Sequence, residues 1–281
     1  MLNQKFLQLS FLFIVTILFQ SCTNDGSTVQ SDGQENQVRQ DVVYTNKAHS
    51  LVGEMVEKVG DFKALYKKND VSYLYTYKTP DGKQDISEEK YMFKGELSYG
   101  KYLLHERTLP DLKGVMEQSY DGTKYLLKHE DNFLDSEAII KKVAFNRPTN
   151  FYWFTMMQKL LDPGLKYELE GEKTIEGKDY DIVKVTFPSV KDRPTDTYTL
   201  FINKATKLVD QFLFTVADYG VMEPKLMQVE YEEIDGLLMP THRRYKNSDW
   251  NATISDEPWI TVEWSNIQFN NGLSREFFSL N

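Results

Sequence analysis

VSYLYTYK, residues 71–78, sets Val71, Tyr73, Tyr75 and Tyr77 on one face of an extended chain, since side chains alternate sides along a strand. Pro80-Asp81-Gly82 then supplies a turn. The habit continues outward through segments around 86–98, 101–108, 114–119 and 123–129, with breaks at Tyr99-Gly100, Pro110-Asp111 and Asp121-Gly122. It resumes at 166–174, 179–187, 196–203, 208–217, 225–234, 237–246 and 259–269, with turns at Glu176-Gly177-Lys178, Lys204 to Lys207 and Asp235-Gly236. Connections this short join antiparallel neighbours. About a dozen strands in order predict one large curled antiparallel sheet rather than a βαβ array.

Two helical patterns interrupt the strands. Ala48, Leu51, Val52, Met55, Val56 and Val59 recur at three and four residues, which predicts an amphipathic helix over 47–59 with Asn46 as its N-cap and Gly60 past its end. The second pattern is an insertion at about 135–161. Asp135 is placed to cap a helix from 136 to about 145, Asn146-Arg147-Pro148 interrupts, and Thr149 is placed to cap another from 150 to about 161. The latter reads NFYWFTMMQKLL and is apolar nearly all round, so it must be buried on most sides. The predicted fold is α+β: an open half-barrel with a leading amphipathic helix and an apolar helical insertion on its concave face.

The first residues have another character. Phe6 to Phe19 is apolar after Lys5, and Leu18-Phe19-Gln20-Ser21-Cys22 has the form of a lipoprotein signal ending in the residue that is acylated. The apolar run is shorter than the roughly 20 residues of a transmembrane helix. Residues 1–21 are thus expected to be a signal peptide and Cys22, the only cysteine, a lipidation site. Residues 23–42 have no aromatic side chain and few apolar ones, the composition of a flexible tether. A domain over 43–281 follows. Removal of Lys5 with the signal takes the net charge from -9 to -10, and such a surface repels nucleic acid and anionic lipid, leaving the anchor as the link to a membrane. The expected place is the cell envelope, as an outer membrane lipoprotein facing the periplasm or the cell surface.

A curled sheet closed by an apolar helix can hold a greasy ligand in its interior. Phe151, Trp153, Phe154, Met156, Met157, Leu160 and Leu161 are the candidate ligand-binding residues, Met being suited to repacking around varied shapes. The alternative is that they fill the core completely, in a structural or interaction lipoprotein. Little points to catalysis. His49, His105, His129 and His242 lack metal-ligand spacing, no GxSxG elbow, phosphate loop or dinucleotide fingerprint occurs, and no cofactor or metal is expected. The acidic group Asp131, Asn132, Asp135 and Glu137 fits helix capping better than calcium. Arg243 and Arg244, with His242 and Lys246, form a small basic patch on a strand, which reads as a solvated face in preference to an anion site. A hydrolase using two distant carboxylates stays as the remaining enzymatic alternative.

The order of these elements, with EGEKTIEGKDYDIVKVTFP (170–188), TYTLFINKATKLVDQFLFT (197–215) and YEEIDGLLMPTHRRY (231–245), resembles the LolA/LolB-like superfamily of lipoprotein localisation factors. The likeness runs over about 46–281. NRPTNFYWFTMMQKLLDPGLKYELEG (146–171) is similar to a segment of an uncharacterised lipoprotein family within that group. The resemblance implies an open half-barrel that binds an acyl chain of a lipid or lipoprotein, with no chemistry.

Overall fold

Among the described residues, thirteen strands lie in a single sheet in the order β6-β5-β4-β3-β2-β1-β13-β12-β11-β10-β9-β8-β7, every neighbouring pair antiparallel. The computed structural model describes residues 43–188, 195–217 and 220–280; Cys22, the signal and the tether lie outside them. The first meander comprises β1 (Asp70–Lys78), β2 (Gln84–Met92), β3 (Leu97–His105), β4 (Met116–Tyr120), β5 (Tyr125–His129) and β6 (Asn132–Phe133). The second comprises β7 (Lys166–Ile175), β8 (Lys178–Thr186), β9 (Thr197–Asn203), β10 (Val209–Val216), β11 (Val221–Ile234), β12 (Leu237–Asn247) and β13 (Ile260–Phe269). Glu176-Gly177 and Asp235-Gly236 close two-residue hairpins with positive φ at both positions, the backbone that matches strand twist.

The meanders meet where β1 pairs with β13, so the strands flanking the insertion, β6 and β7, form the two outer edges of the sheet. The sheet is open, as expected for a half-barrel. The segment between β6 and β7 must therefore travel from edge to edge. It does so as α3 (Glu137–Lys159), whose 23 residues span about 35 Å at 1.5 Å per residue. The sequence predicts two helices here, with a break at Asn146-Arg147-Pro148; the structure has one continuous helix with Pro148 inside it. Ser136 rather than Asp135 is its N-cap, without a side-chain hydrogen bond, and Thr149 is an interior residue.

The reason lies one residue before the proline. The Arg147 and Glu89 side chains are fully buried, with Arg147 Nη1 2.8 Å from Glu89 Oε2. Nη2 reaches Glu89 Oε1 at 3.3 Å and the Tyr102 hydroxyl at 3.0 Å. Ser87 Oγ and the Tyr91 hydroxyl donate to the same carboxylate at 2.7 and 2.9 Å, and Ser98 Oγ donates to the Arg147 carbonyl. Loss of one helical hydrogen bond at proline is thus opposed by a charged, multiply bonded clamp between helix and sheet. Burial alone would lower the Arg147 pKa, but the charge of Glu89, with Tyr102 and Tyr91, raises it above its ordinary value.

The same clamp accounts for a second difference. Tyr99-Gly100, read as a turn in the sequence, lies inside β3, and the chain reverses instead between β2 and β3 at 93–96. A Cβ at Gly100 would stand 2.4 Å from Arg147 Nη1 and 2.7 Å from Glu89 Oε1. Glycine is there to admit the ion pair against the strand.

The leading helix α1 (Lys47–Val59) forms as predicted, its Asn46 side chain accepting from the His49 N–H at 2.9 Å. A short helix α2 (Phe62–Tyr66) follows. The stripe of α1 packs with Met156 and Met157 of α3, and with Leu160 just past its end, on Val183, Leu200, Val209 and Phe212 of the second meander. Gln158 Nε2 fixes the two helices by donating to the Gly60 carbonyl at 3.0 Å. The other face of the sheet is partly covered too: Trp259 packs with Phe201, Leu213 and Leu226, and Phe278 with Leu97 and Tyr99.

Glu89→Ala should destabilise the protein by about 3–5 kcal/mol, because it strands a buried guanidinium, and Gly100→Ala by about 1–3 kcal/mol through overpacking. Urea denaturation measures both; wild-type midpoints for the pair of variants would show that the clamp does not hold helix to sheet.

Candidate functional site

A cavity of about 580 Å³ opens between the sheet and the middle of α3, a size within the roughly 300–1,000 Å³ usual for small-molecule sites. Its floor is the tyrosine face of β1 (Tyr73, Tyr75 and Tyr77) with Val262 and Trp264 of β13 and Arg243 and Tyr245 of β12. Phe214 and Met227 continue it across the second meander, and Tyr102 across the first. Residues from Ala144 to Trp153 on α3 form the roof. Pro148 has no N–H to offer the Ala144 carbonyl one helical turn back, so the roof also carries a loosened backbone polar group.

Of the residues expected from sequence to touch a ligand, Trp153 lines this cavity; Phe151, Phe154, Met156, Met157, Leu160 and Leu161 are not among its lining residues. Phe154 is 1% exposed and lies between Tyr73 and Trp264, with ring centroids 4.9 and 5.1 Å away. Phe151 is buried beside Tyr91. Met156, Met157 and Leu160 are buried against α1, with Leu161 packed at the margin of the same cluster. The sequence places the void under 149–161 and the structure opens it under 144–153, because α1 fills the space beneath the end of α3.

The sequence reads Arg243 as part of a solvated face; the structure buries it. It is 6% exposed, and Lys246 5%. Strand alternation divides the basic run: His242 and Arg244 face solvent, and Arg243 faces the cavity. Lys246 is covered on the other side, where it donates to the Ser255 carbonyl at 2.8 Å and stands 4.2 Å from the Trp259 ring centre. Arg243 Nε donates to the Pro240 carbonyl at 3.1 Å and Nη2 to the Trp153 carbonyl at 2.9 Å. Its guanidinium lies 3.8 Å over the Trp264 ring, a cation–π distance. Burial lowers its pKa to about 10, partly opposed by the surrounding tyrosines, so it remains a cation at neutral pH.

Two carboxylates also reach the lining. Asp85 accepts from Arg107 Nη1 at 3.2 Å, the Arg107 N–H at 2.9 Å and the Thr108 hydroxyl at 2.8 Å. Asp196 accepts from the Ala217 N–H at 2.7 Å. Each is engaged in holding a loop, and they belong to opposite meanders. Among the described residues no three His, Cys, Asp or Glu side chains gather as metal ligands. The cavity offers an aromatic wall, hydroxyls and one buried cation: the means to bind and orient a molecule.

A model described as "Family of unknown function (DUF6503)" matches residues 108–230. No curated protein matches the chain. Among solved structures, a DUF1329 family protein from Desulfovibrio piger is similar, with a TM-score of 0.49 and 15% identity over 83% of this chain and 98% of that one. A LolA superfamily protein from Nitrosomonas europaea follows at 0.46 and 13%, covering 82% and 96%. The Mycobacterium tuberculosis lipoprotein LppX stands at 0.35 and 10%, covering 80% and 97%.

Burial raises the pKa of Tyr73, Tyr75 and Tyr91 well above 10, and that of Tyr102 to about 12. A phenol whose folded pKa exceeds its unfolded value adds stability that is complete below about pH 10 and is lost as pH rises toward the folded value. Alkaline titration should therefore give an early phenolate phase from exposed tyrosines, then a late phase coincident with loss of circular dichroism. One smooth ionisation of all tyrosines in a still-folded protein would contradict the burial of this wall.

Proposed function

We propose that this chain is a membrane-tethered envelope lipoprotein that binds an apolar ligand, a lipid or a lipoprotein acyl chain, in the cavity between sheet and helix. The observation that carries the proposal is the cavity itself, because a helix serving only as a plug would leave no such volume. Tyr75, Trp153, Phe214, Met227 and Val262 supply its apolar surface, and contact with these side chains would replace contact with water along the ligand. Phe154, Met156, Met157 and Leu160 pack beside the cavity, Phe154 on Tyr73 and Trp264 and the others in the α1 cluster. Acylation of Cys22 attaches the chain to the membrane, residues 23–42 act as a tether, and the outer membrane is the site of attachment. Asp85 and Asp196 are committed to loop backbones and side chains, so the cavity favours binding over hydrolysis.

Val262→Trp would place a large ring in the floor. It should weaken binding of a neutral apolar probe such as N-phenylnaphthylamine about tenfold or more, equivalent to at least about 1.4 kcal/mol, while the urea midpoint holds. Unaltered probe affinity in a folded variant would remove the cavity as the binding place. For the anchor, the full chain expressed in a bacterial host should take up label from radioactive palmitate and Cys22→Ser should not; labelling that survives in the variant would refute acylation at Cys22.

A further inference from the structure

Two arginines face the same side of the sheet, and they differ in one respect. Arg147 has a carboxylate against it; Arg243 has none within ion-pair distance among the described residues. Its partners are two carbonyl oxygens and the faces of Trp264 and Trp153, none of which carries a negative charge. Nη1 makes no hydrogen bond among the described residues. A buried cation without a counter-charge is costly, and proteins pair it or present it to an anion.

Two residues of the same lining also have a polar group without a partner among the described residues. Trp264, 3% exposed, has an Nε1–H that is buried and without a partner among the described residues. The Tyr75 hydroxyl on the adjacent strand makes no hydrogen bond there either, whereas Tyr73, Tyr77 and Tyr102 each bond to a neighbouring side chain. The remaining cations of the lining are engaged: Arg107 with Asp85, and Lys225 Nζ with Asn247 Oδ1 at 2.7 Å. The chain as a whole carries -9, so general surface charge does not draw anions to this place. The unsatisfied positive charge is local and sits inside an aromatic cavity.

We propose that the cavity takes a single-chain amphiphile with an anionic head, a carboxylate or a phosphate monoester, and that Arg243 receives that head while the tail lies along the aromatic wall. The proposal rests on the apolar-ligand reading and adds the head group to it. The Arg243 guanidinium supplies the charge-assisted hydrogen bonds, and the Tyr75 hydroxyl stands as a further donor. No covalent step is involved.

Binding of cis-parinaric acid and of its methyl ester to the full-length protein tests this. The acid should bind about ten- to a hundredfold more tightly than the ester, the range of a hydrogen-bonded charge. Arg243→Met should bring that ratio to about one, and Arg243→Lys should retain most of it. Displacement by oleate, by oleoyl lysophosphatidate and by neutral monoolein then separates a carboxylate head from a phosphate head. Equal binding of acid and ester by the wild type, or strongest displacement by monoolein, would overturn the anionic head and leave the apolar-ligand reading standing. A ratio that survives Arg243→Met would assign the head to another residue and overturn the role of Arg243. Binding of neither probe would overturn both readings.

Discussion

A guanidinium and a carboxylate sealed from water, Arg147 on α3 and Glu89 on β2, fix where the helix meets the sheet. Ion pairs of this kind contribute little net stability over an apolar substitute, yet they tolerate almost no displacement, because either partner alone in the interior is heavily penalised. Register, rather than strength, is what the pair supplies. Tyr73, Tyr91, Tyr102, Ser87 and Ser98 extend it into a bonded layer, and Gly100 gives it room. With Arg147 pinned, Pro148 is carried within the helix and the next turn sets Tyr152 and Trp153 over the cavity.

Connectivity makes that pin necessary. Two meanders joined through β1 and β13 leave their free edges on strands far apart, and a single segment links those edges across the sheet. A straight helix over a curled surface cannot touch it everywhere. Near its C-terminal end α1 occupies the intervening space, and near its N-terminal end Val143 packs with Tyr102, Leu109, Met116 and Leu127. The void remains between these fillings. Its position therefore follows from where α1 ends its packing, and its chemistry from the tyrosines and the arginine that strand alternation turns inward.

Strands and the leading helix were legible in the sequence because their signals are local: period two between Gly-centred turns, and a stripe at three and four residues after Asn46. Arg147 and Pro148 were misread because a rule for proline says nothing of a carboxylate on a distant strand. Gly100 was misread as a turn for the same reason, since close approach of another chain segment leaves no trace beside the glycine. The apolar run of α3 marks Phe151, Phe154, Met156 and Met157 as buried, which they are, but hydrophobicity does not tell a side chain that faces a void from one that faces another side chain. Arg243 could have been found: alternation through His242, Arg243 and Arg244 places the middle residue on the opposite face, with Tyr245 two positions on sharing its side.

The pairing of β1 with β13 also governs the order of events when the chain is made. Val71 is aligned with Phe269 and Tyr77 with Val262, so the centre of the sheet joins residues almost two hundred positions apart in the sequence. Each meander can close from neighbouring hairpins as it emerges, but neither acquires its inner neighbour until the thirteenth strand is available. Long-range pairing of this kind slows folding, and until it occurs both inner strands present unpaired backbone edges. A chain built in this way has its greatest need of protection from aggregation in the interval before its last strand arrives.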